Sequence, residues 1–199
     1  MNTIVIATNN INKAQEYRVM LQSKKITIKT LADFATPIKI NETGTTFAAN
    51  ALLKAQAVVD LTKLPVIADD SGLVVDALNG EPGVHSARYA GDHDDIANNR
   101  KLLHNLQGVL NEKRTAHFNT TLVALKPNGK KLVVTGELNG IILARPQGNN
   151  GFGYDPLFYV PTKDKSLAQL TTSQKNEISH RGQAMRQLMQ QFEEWWQQA

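Results

Sequence analysis

Pro65-Val66-Ile67-Ala68-Asp69-Asp70-Ser71-Gly72-Leu73-Val74-Val75-Asp76-Ala77-Leu78 reads as a buried strand, two adjacent carboxylates, a tight Ser-Gly turn and a second apolar run. Acids wedged between apolar runs are costly to place, because an ionised carboxylate near a core needs a cation, a metal or hydrogen-bond donors. Strand neighbours point to opposite faces. Asp69 and Asp70 are therefore expected to do different jobs, one in a site and one anchoring local backbone. Within this stretch a second reading stands equally: both acids open an exposed turn with Ser-Gly at its apex. The polar clusters elsewhere decide between the two.

The chain around this stretch has 199 residues, a formal net charge of +4 and no cysteine. That length suits one large domain or two small ones, and with no internal repeat or low-complexity linker it reads as one domain over residues 1–199. A hydrophobic content of 41% with 20% charged residues is that of a globular protein, not a disordered one. No apolar run approaches a membrane span, so no membrane partner is expected. Met1–Ile6 lacks the basic start of a secretory signal and looks like a first strand. Without cysteine, disulfides and thiolate metal sites are excluded, and a reducing cytoplasm is the expected location. A surplus of cations suits an anionic substrate such as a phosphate ester. The Lys and Arg residues are scattered, not striped, so no nucleic-acid partner is expected.

Residues 3–8 are a β-branched run, followed by Asn9-Asn10-Ile11-Asn12-Lys13 and a helical pattern through Ala14, Tyr17 and Leu21. A helix start offers free N–H groups and a positive dipole end for an anion. Thr8, Asn10 and Lys13 add donors and a cation, though an Asn-rich helix cap would look the same. Residues 26–31 and 37–40 are short extended candidates. Glu42-Thr43-Gly44-Thr45-Thr46 leads into a helix over roughly 46–62, with Phe47, Ala51, Ala55 and Val58 as its buried stripe. Asn50 and Lys54 share another face, a pairing that is usually just wet surface.

Asn79–Gly83 is a loop, and His85 reads as a loop histidine without chemistry. Asp92, Asp94 or Asp95 can cap a helix running to about Leu106. Residues 117–126 and 131–138 alternate like strands, and Asn128-Gly129 between them signals a hairpin. Ile141–Ala144 follows as a further apolar strand. Gly148–Pro156 is a glycine-rich loop in which Phe152 and Tyr154 offer flat faces and Asp155 an acceptor. Stacking plus edge recognition is what a base pocket needs, while an aromatic turn plugged into the core is the competing reading. Ser179 is a cap for the final helix, which places His180 and Arg181 in its first turn against the helix dipole. That local conflict hints at function. Ala184, Leu188, Phe192 and Trp195 or Trp196 line the helix's inner face.

Taken together and in order, Thr8–Lys13, Glu42–Phe47 with Asn50, Ala51, Lys54 and Ala55, Ala68–Gly72, Pro82-Gly83 with Ser86–Tyr89, Phe152–Pro156, and Lys175 with Ser179–Arg181 resemble the inosine triphosphate pyrophosphatase (XTP/dITP diphosphatase) family nearly end to end. The one departure is the asparagine-rich first loop, where relatives often carry glycine. The resemblance implies an elongated two-lobed α/β fold, with a long central mixed β-sheet flanked by helices and a cleft between lobes. It also implies a homodimer, a Mg²⁺ cofactor, and cleavage of ITP, dITP or XTP to the monophosphate and pyrophosphate. By likeness, Thr8, Asn9, Asn10, Ile11, Asn12 and Lys13 hold the phosphates, with Lys54 facing them. Asp70 is the proton acceptor and, with Glu42, a metal ligand. Ser71, Phe152, Gly153, Tyr154, Asp155, Lys175, His180 and Arg181 contact the nucleotide. The catalytic set is then Asp70, Lys13 and Lys54.

Two rivals compete with this reading. A nucleotide-binding regulator without turnover would need the same pockets, but gains nothing from carboxylates facing an anionic ligand. A nucleic-acid module fits the positive charge but not its scatter.

Overall fold

A computed structural model describes residues 2–35, 40–91 and 94–197, with the backbone alone at Ile11 and Asn12. The elements in chain order are β1 (Thr3–Ile6), α1 (Ile11–Leu21), β2 (Thr27–Thr30), α2 (Phe47–Thr62), β3 (Val66–Val75), α3 (Asp95–Asn105), β4 (Thr115–Leu125), β5 (Lys131–Ile142), β6 (Phe158–Val160), β7 (Lys165–Ser166), α4 (Thr172–Ile178) and α5 (His180–Gln197). The strands form one open sheet in the order β2-β1-β3-β4-β5-β6-β7. β1 pairs in parallel with β2 and β3, while β6 pairs antiparallel with β5 and β7. A mixed sheet with flanking helices is the α/β class expected from the sequence.

The chain folds as two compact units, Met1–Asp70 with Thr121–Val134 and Arg186–Ala199, and Ser71–Thr120 with Thr135–Met185. In the first, Val5, Val66 and Ala68 pack against Ala51, Ala55, Val58 and Val59 of α2. Each valine so enclosed contributes roughly 1.5–3 kcal/mol. α2 starts where Thr46 Oγ1 accepts the Ala49 N–H at 3.1 Å and ends at Lys63, whose φ of 55° is left-handed. The stripe expected on this helix is buried, save that Phe47 is only partly covered. In the second unit, Leu73, Val75, Leu102, Leu106, Phe118, Ile142, Leu157 and Phe158 form the core.

Three sequence expectations change. The Ser71-Gly72 turn does not exist: β3 runs unbroken from Val66 to Val75. Its two acids are buried and partnered, so nothing forces the chain out to solvent. Ser71 stays on the strand with its Oγ 2.5 Å from that of Thr120. Ile141 and Ile142 do not start a new strand but finish β5, where they pair with Tyr159 and Phe158. α4 has no counterpart in the sequence reading. It is a short helix closed by a reciprocal cap, in which the Thr171 and Gln174 side chains each take the other's backbone N–H.

The hairpin at residues 126–130 is present, with Lys126 N–H donating to the Lys130 carbonyl at 2.9 Å. Asp94 is the cap of α3, its Oδ1 accepting the Ala97 N–H at 2.9 Å. Asp92, and residues 37–39 of the short extended candidate, lie outside the described residues.

Candidate active site

In the first unit, β1 delivers the chain into the turn before α1. Thr8 Oγ1 accepts the Asn10 N–H at 3.1 Å, and Asn10 Oδ1 accepts the Lys13 N–H at 3.1 Å. Asn10 thus caps the helix, and the cap places Lys13 one turn in. Asn9 and Asn10 are exposed. Lys13 Nζ lies 2.6 Å from Asp69 Oδ2, and only 2% of that acid's side chain is exposed. The first acid of the pair is therefore the partner of the first lysine.

Asp70 has a different set. Lys54 Nζ is 2.9 Å from its Oδ1, and Asn50 Nδ2 donates to its Oδ2 at 3.3 Å. The same Lys54 Nζ is 3.3 Å from Glu42 Oε1. Asn50, fully buried, also accepts the Gly44 N–H at 2.8 Å and so ties the segment carrying Glu42 to Asp70. The i,i+4 pair on α2 is consequently not wet surface: this face of the helix meets Asp70, midway along β3.

Burial raises the Asp70 carboxyl above the ordinary carboxylate range, and the like charge of Glu42 adds to it, against the pull of Lys54 and Asn50. Burial alone would lower Lys54, but Asp70, Asp69 and Glu42 together outweigh it and raise the ammonium's pKa. Lys54 thus stays charged, while Asp70 binds a proton more readily than an exposed aspartate does. Glu42 and Asp70 are two hard-oxygen donors converging on one cationic centre. This chemistry suits Mg²⁺, which is commonly held by one or two carboxylates plus substrate phosphates. Among the described residues no group of three or more His, Asp or Glu side chains is arranged as a full protein cage.

The second unit holds the aromatic loop. Phe152 is 47% exposed, with Lys175 Nζ 4.6 Å and Arg181 Cζ 5.9 Å from its ring centroid. Asp155 shapes the loop: its Oδ2 accepts the Phe152 N–H at 2.9 Å and Lys175 Nζ at 2.5 Å. A Cβ on Gly151, whose φ is 79°, would overlap that carboxylate, so only glycine fits there. The Asp155 acceptor expected to face a base is thus occupied within the loop.

Tyr154 also departs from expectation. Its ring is buried in the core and its hydroxyl donates to the Ser86 carbonyl at 2.8 Å, so the open flat face belongs to Phe152 alone. The alternative of an aromatic plugged into the core holds for one of the two rings.

At the start of α5, Ser179 Oγ accepts the Gly182 N–H at 3.0 Å, the expected cap. His180 stacks on Phe118 at 4.8 Å with the rings 10° from parallel. His180 and Arg181 are both buried. Gly136 on β5 allows this approach, because a Cβ there would overlap the His180 carbonyl oxygen. Gly153 lies in the Phe152 loop, and Ser71 on β3 faces Thr120. The side chains of Ile11 and Asn12 are outside the described part of the structure.

Two participants escaped the sequence reading. Asn50 reads as surface in the sequence, although its spacing from Lys54 is the available signal. The sequence shows no partner for Asp69, because nothing local ties it to Lys13, 56 residues away.

The Ham1 family model matches residues 4–191. A protein of Lactiplantibacillus plantarum named dITP/XTP pyrophosphatase is 64% identical over 197 residues, 99% of this chain and 98% of its own. One of the same name from Listeria innocua is 53% identical over 189 residues, 94% and 93% of the two chains. The solved Staphylococcus aureus Ham1 protein matches with a TM-score of 0.90 at 42% identity, covering 96% of this chain and 98% of that one. The HAM1 protein of Coxiella burnetii gives 0.91 at 41%, covering 98% and 100%. The family anticipated from the motifs is thereby borne out along almost the whole sequence, and the chain belongs to the Ham1 family.

Proposed function

We propose that this protein is a pyrophosphatase that hydrolyses non-standard purine nucleoside triphosphates, dITP, XTP and ITP, to the monophosphate and pyrophosphate. The observation that carries the chemistry is the shared ammonium of Lys54, held by buried Asp70 and by Glu42. The substrate class is supported by the name dITP/XTP pyrophosphatase that the bacterial relatives carry.

The two lysines are pre-positioned by carboxylates, Lys13 by Asp69 and Lys54 by Asp70. A polyphosphate brings several negative charges and competes for both ammoniums, while the N–H groups at the start of α1 supply further donors. Drawn away from Lys54, the Asp70 carboxylate is a buried base with raised proton affinity. It takes a proton from the attacking water as the water oxygen bonds to the α-phosphorus. The bond from that phosphorus to the bridging oxygen breaks, and pyrophosphate leaves with the bonding pair. Lys13 and Lys54 offset the charge that builds on the leaving group.

Glu42 and Asp70 would hold a Mg²⁺ ion, which when bound supplies further neutralisation of phosphate charge. The base is assigned to Phe152, whose exposed ring stacks it, with Arg181 and Lys175 alongside. Arg181 carries donors only, which suits the 6-keto oxygen of hypoxanthine and xanthine and opposes the 6-amino group of adenine. A homodimer is part of the same reading by family resemblance, and a reducing cytoplasm fits a chain without cysteine.

A nucleotide panel tests this: ITP, dITP, XTP, ATP and GTP, each with Mg²⁺ and with chelator, assayed separately for pyrophosphate and orthophosphate. The reading requires pyrophosphate from the first three, little from ATP, and none in chelator. Orthophosphate as the sole product would place the cut at another bond.

A further inference from the structure

The Phe152 loop is fastened from an unexpected side. Asp95 and Asn99 stand one turn apart on α3 and hold opposite ends of one residue. Asp95 Oδ2 accepts the Gly153 N–H at 2.7 Å, and Asn99 Nδ2 donates to the Gly153 carbonyl at 2.8 Å. The pair acts on Gly153 as a neighbouring strand would, satisfying both its backbone groups with side chains. The Oδ1 of Asn99 is buried without a hydrogen-bond partner, so the amide is held to the loop by its donor end alone.

Other fastenings complete the loop. Asn150 Nδ2 donates to the Leu170 carbonyl at 3.1 Å, the Tyr154 hydroxyl to that of Ser86, and the Asp155 carboxylate accepts from Phe152 N–H and Lys175. Each of these fixes the backbone or buries a side chain. What they leave outward is the Phe152 ring.

We propose that Asp95 and Asn99 are positioning residues for base recognition: by clamping Gly153 they fix the Phe152 ring as a stacking platform, and so set affinity for the purine without touching the phosphates. The proposal rests on the assignment of the base to Phe152 made above. Asp95 has a simpler role available as an acid in the first turn of a helix, where the dipole favours it. That role would be indifferent to substrate, and Asn99 has no part in it. Stacking on an aromatic side chain needs the ring held in place, and a ring freed to move gives up part of that gain on each encounter.

The test measures kcat and KM for ITP and for ribose 5-triphosphate, which carries sugar and phosphates without a base. The proteins compared are wild type, Asp95→Ala, Asn99→Ala, the double variant, Asp95→Asn and Asn99→Asp. Losing one such hydrogen bond is expected to raise KM for ITP about threefold to tenfold, with kcat within about twofold. Because both side chains hold one residue, the double variant falls short of the product of the two single effects. Constants for ribose 5-triphosphate stay near wild type.

Asp95→Asn keeps an acceptor oxygen and restores most of the KM, whereas Asn99→Asp has no donor for the Gly153 carbonyl and does not. Equal losses on the two substrates, or unchanged KM for ITP in both alanine variants, would overturn the proposal. If wild type itself handles ITP no better than ribose 5-triphosphate, the base assignment to Phe152 fails first, and the two failures are told apart.

Discussion

Asp155→Asn replaces the carboxylate at the centre of the aromatic loop with a neutral amide and removes its full negative charge. In the native protein the Asp155 side chain is 4% exposed and accepts from both Lys175 Nζ and the Phe152 N–H. Both donors meet the one oxygen Oδ2, so an asparagine that puts its amide oxygen there keeps the contacts without the charge, and one that puts its NH₂ there loses both. Breaking a buried pair by removing one charge costs about 3–5 kcal/mol when the survivor stays buried. Lys175 is 16% exposed and can turn its ammonium to water, so a smaller loss of about 2–3 kcal/mol is expected, near that of unmaking a hydrogen bond to a charged group. For a chain of this size that is a fall in Tm of about 4–12 °C.

The kinetic effect is separable. With a neutral amide in place of the carboxylate the Phe152 N–H is held less firmly and the ring loses its place, and base stacking is worth about 1–3 kcal/mol. kcat/KM for ITP should then drop about fivefold to 150-fold. Thermal unfolding followed by circular dichroism, and initial rates of pyrophosphate release below KM, measure the two. A variant with native Tm and native kcat/KM would mean that the carboxylate is not what holds the loop, and the derivation of the platform from Asp155 would be wrong.

Asp70→Asn is nearly isosteric and should keep the fold while losing about 10²–10⁴ in kcat for every accepted triphosphate, as removal of a general base does; near-native turnover with a normal Mg²⁺ response would remove Asp70 from that role. Arg181→Ala should lower kcat/KM for ITP more than for ATP, shrinking their ratio by about tenfold, since only the keto base loses a partner; equal losses would assign Arg181 to the fold or the phosphates. Tyr154→Phe deletes the hydroxyl bond to Ser86 and should cost about 1 kcal/mol near pH 7, read from chemical denaturation. Burial, with the nearby Tyr89 and Asp95, raises the Tyr154 phenol well above its ordinary value of about 10. The unfolded chain therefore loses its phenol proton first, so the wild-type advantage is complete below pH 10 and must shrink as pH climbs past it. A difference that stays constant or grows there would contradict the buried, protonated phenol.

Much of the first unit was legible because its signals are local. Thr46 as a cap, the Ala-rich stripe of α2 and the β-branched run of β1 each follow from a few neighbouring residues. Alternation on a strand gives the two acids different partners, Lys13 for Asp69 and Lys54 with Asn50 for Asp70, where the sequence suggests a site acid and an anchor of local backbone. The Ser71-Gly72 turn is absent because local turn chemistry yields to partners that lie far away in the sequence. Asp69 and Asp70 find lysines from α1 and α2, and a strand whose acids are neutralised has no reason to turn.

The same blindness to distant partners hid Asn50 behind its ordinary i,i+4 spacing with Lys54. Tyr154 and Phe152 are two residues apart in one loop, and no periodicity tells which ring enters the core; the Ser86 carbonyl decides it. Asp95 and Asn99 were invisible as a clamp because Gly153 lies more than fifty residues away along the chain.

The most direct measurement is a product count on a single substrate. Purified protein with Mg²⁺ and dITP or XTP should yield nucleoside monophosphate and pyrophosphate in a one-to-one ratio, with no diphosphate intermediate and no orthophosphate, followed by ³¹P NMR. The same protein on ATP should turn over far more slowly. Release of orthophosphate with accumulation of the nucleoside diphosphate, or equal rates on ATP and dITP, would contradict the proposed reaction at its core.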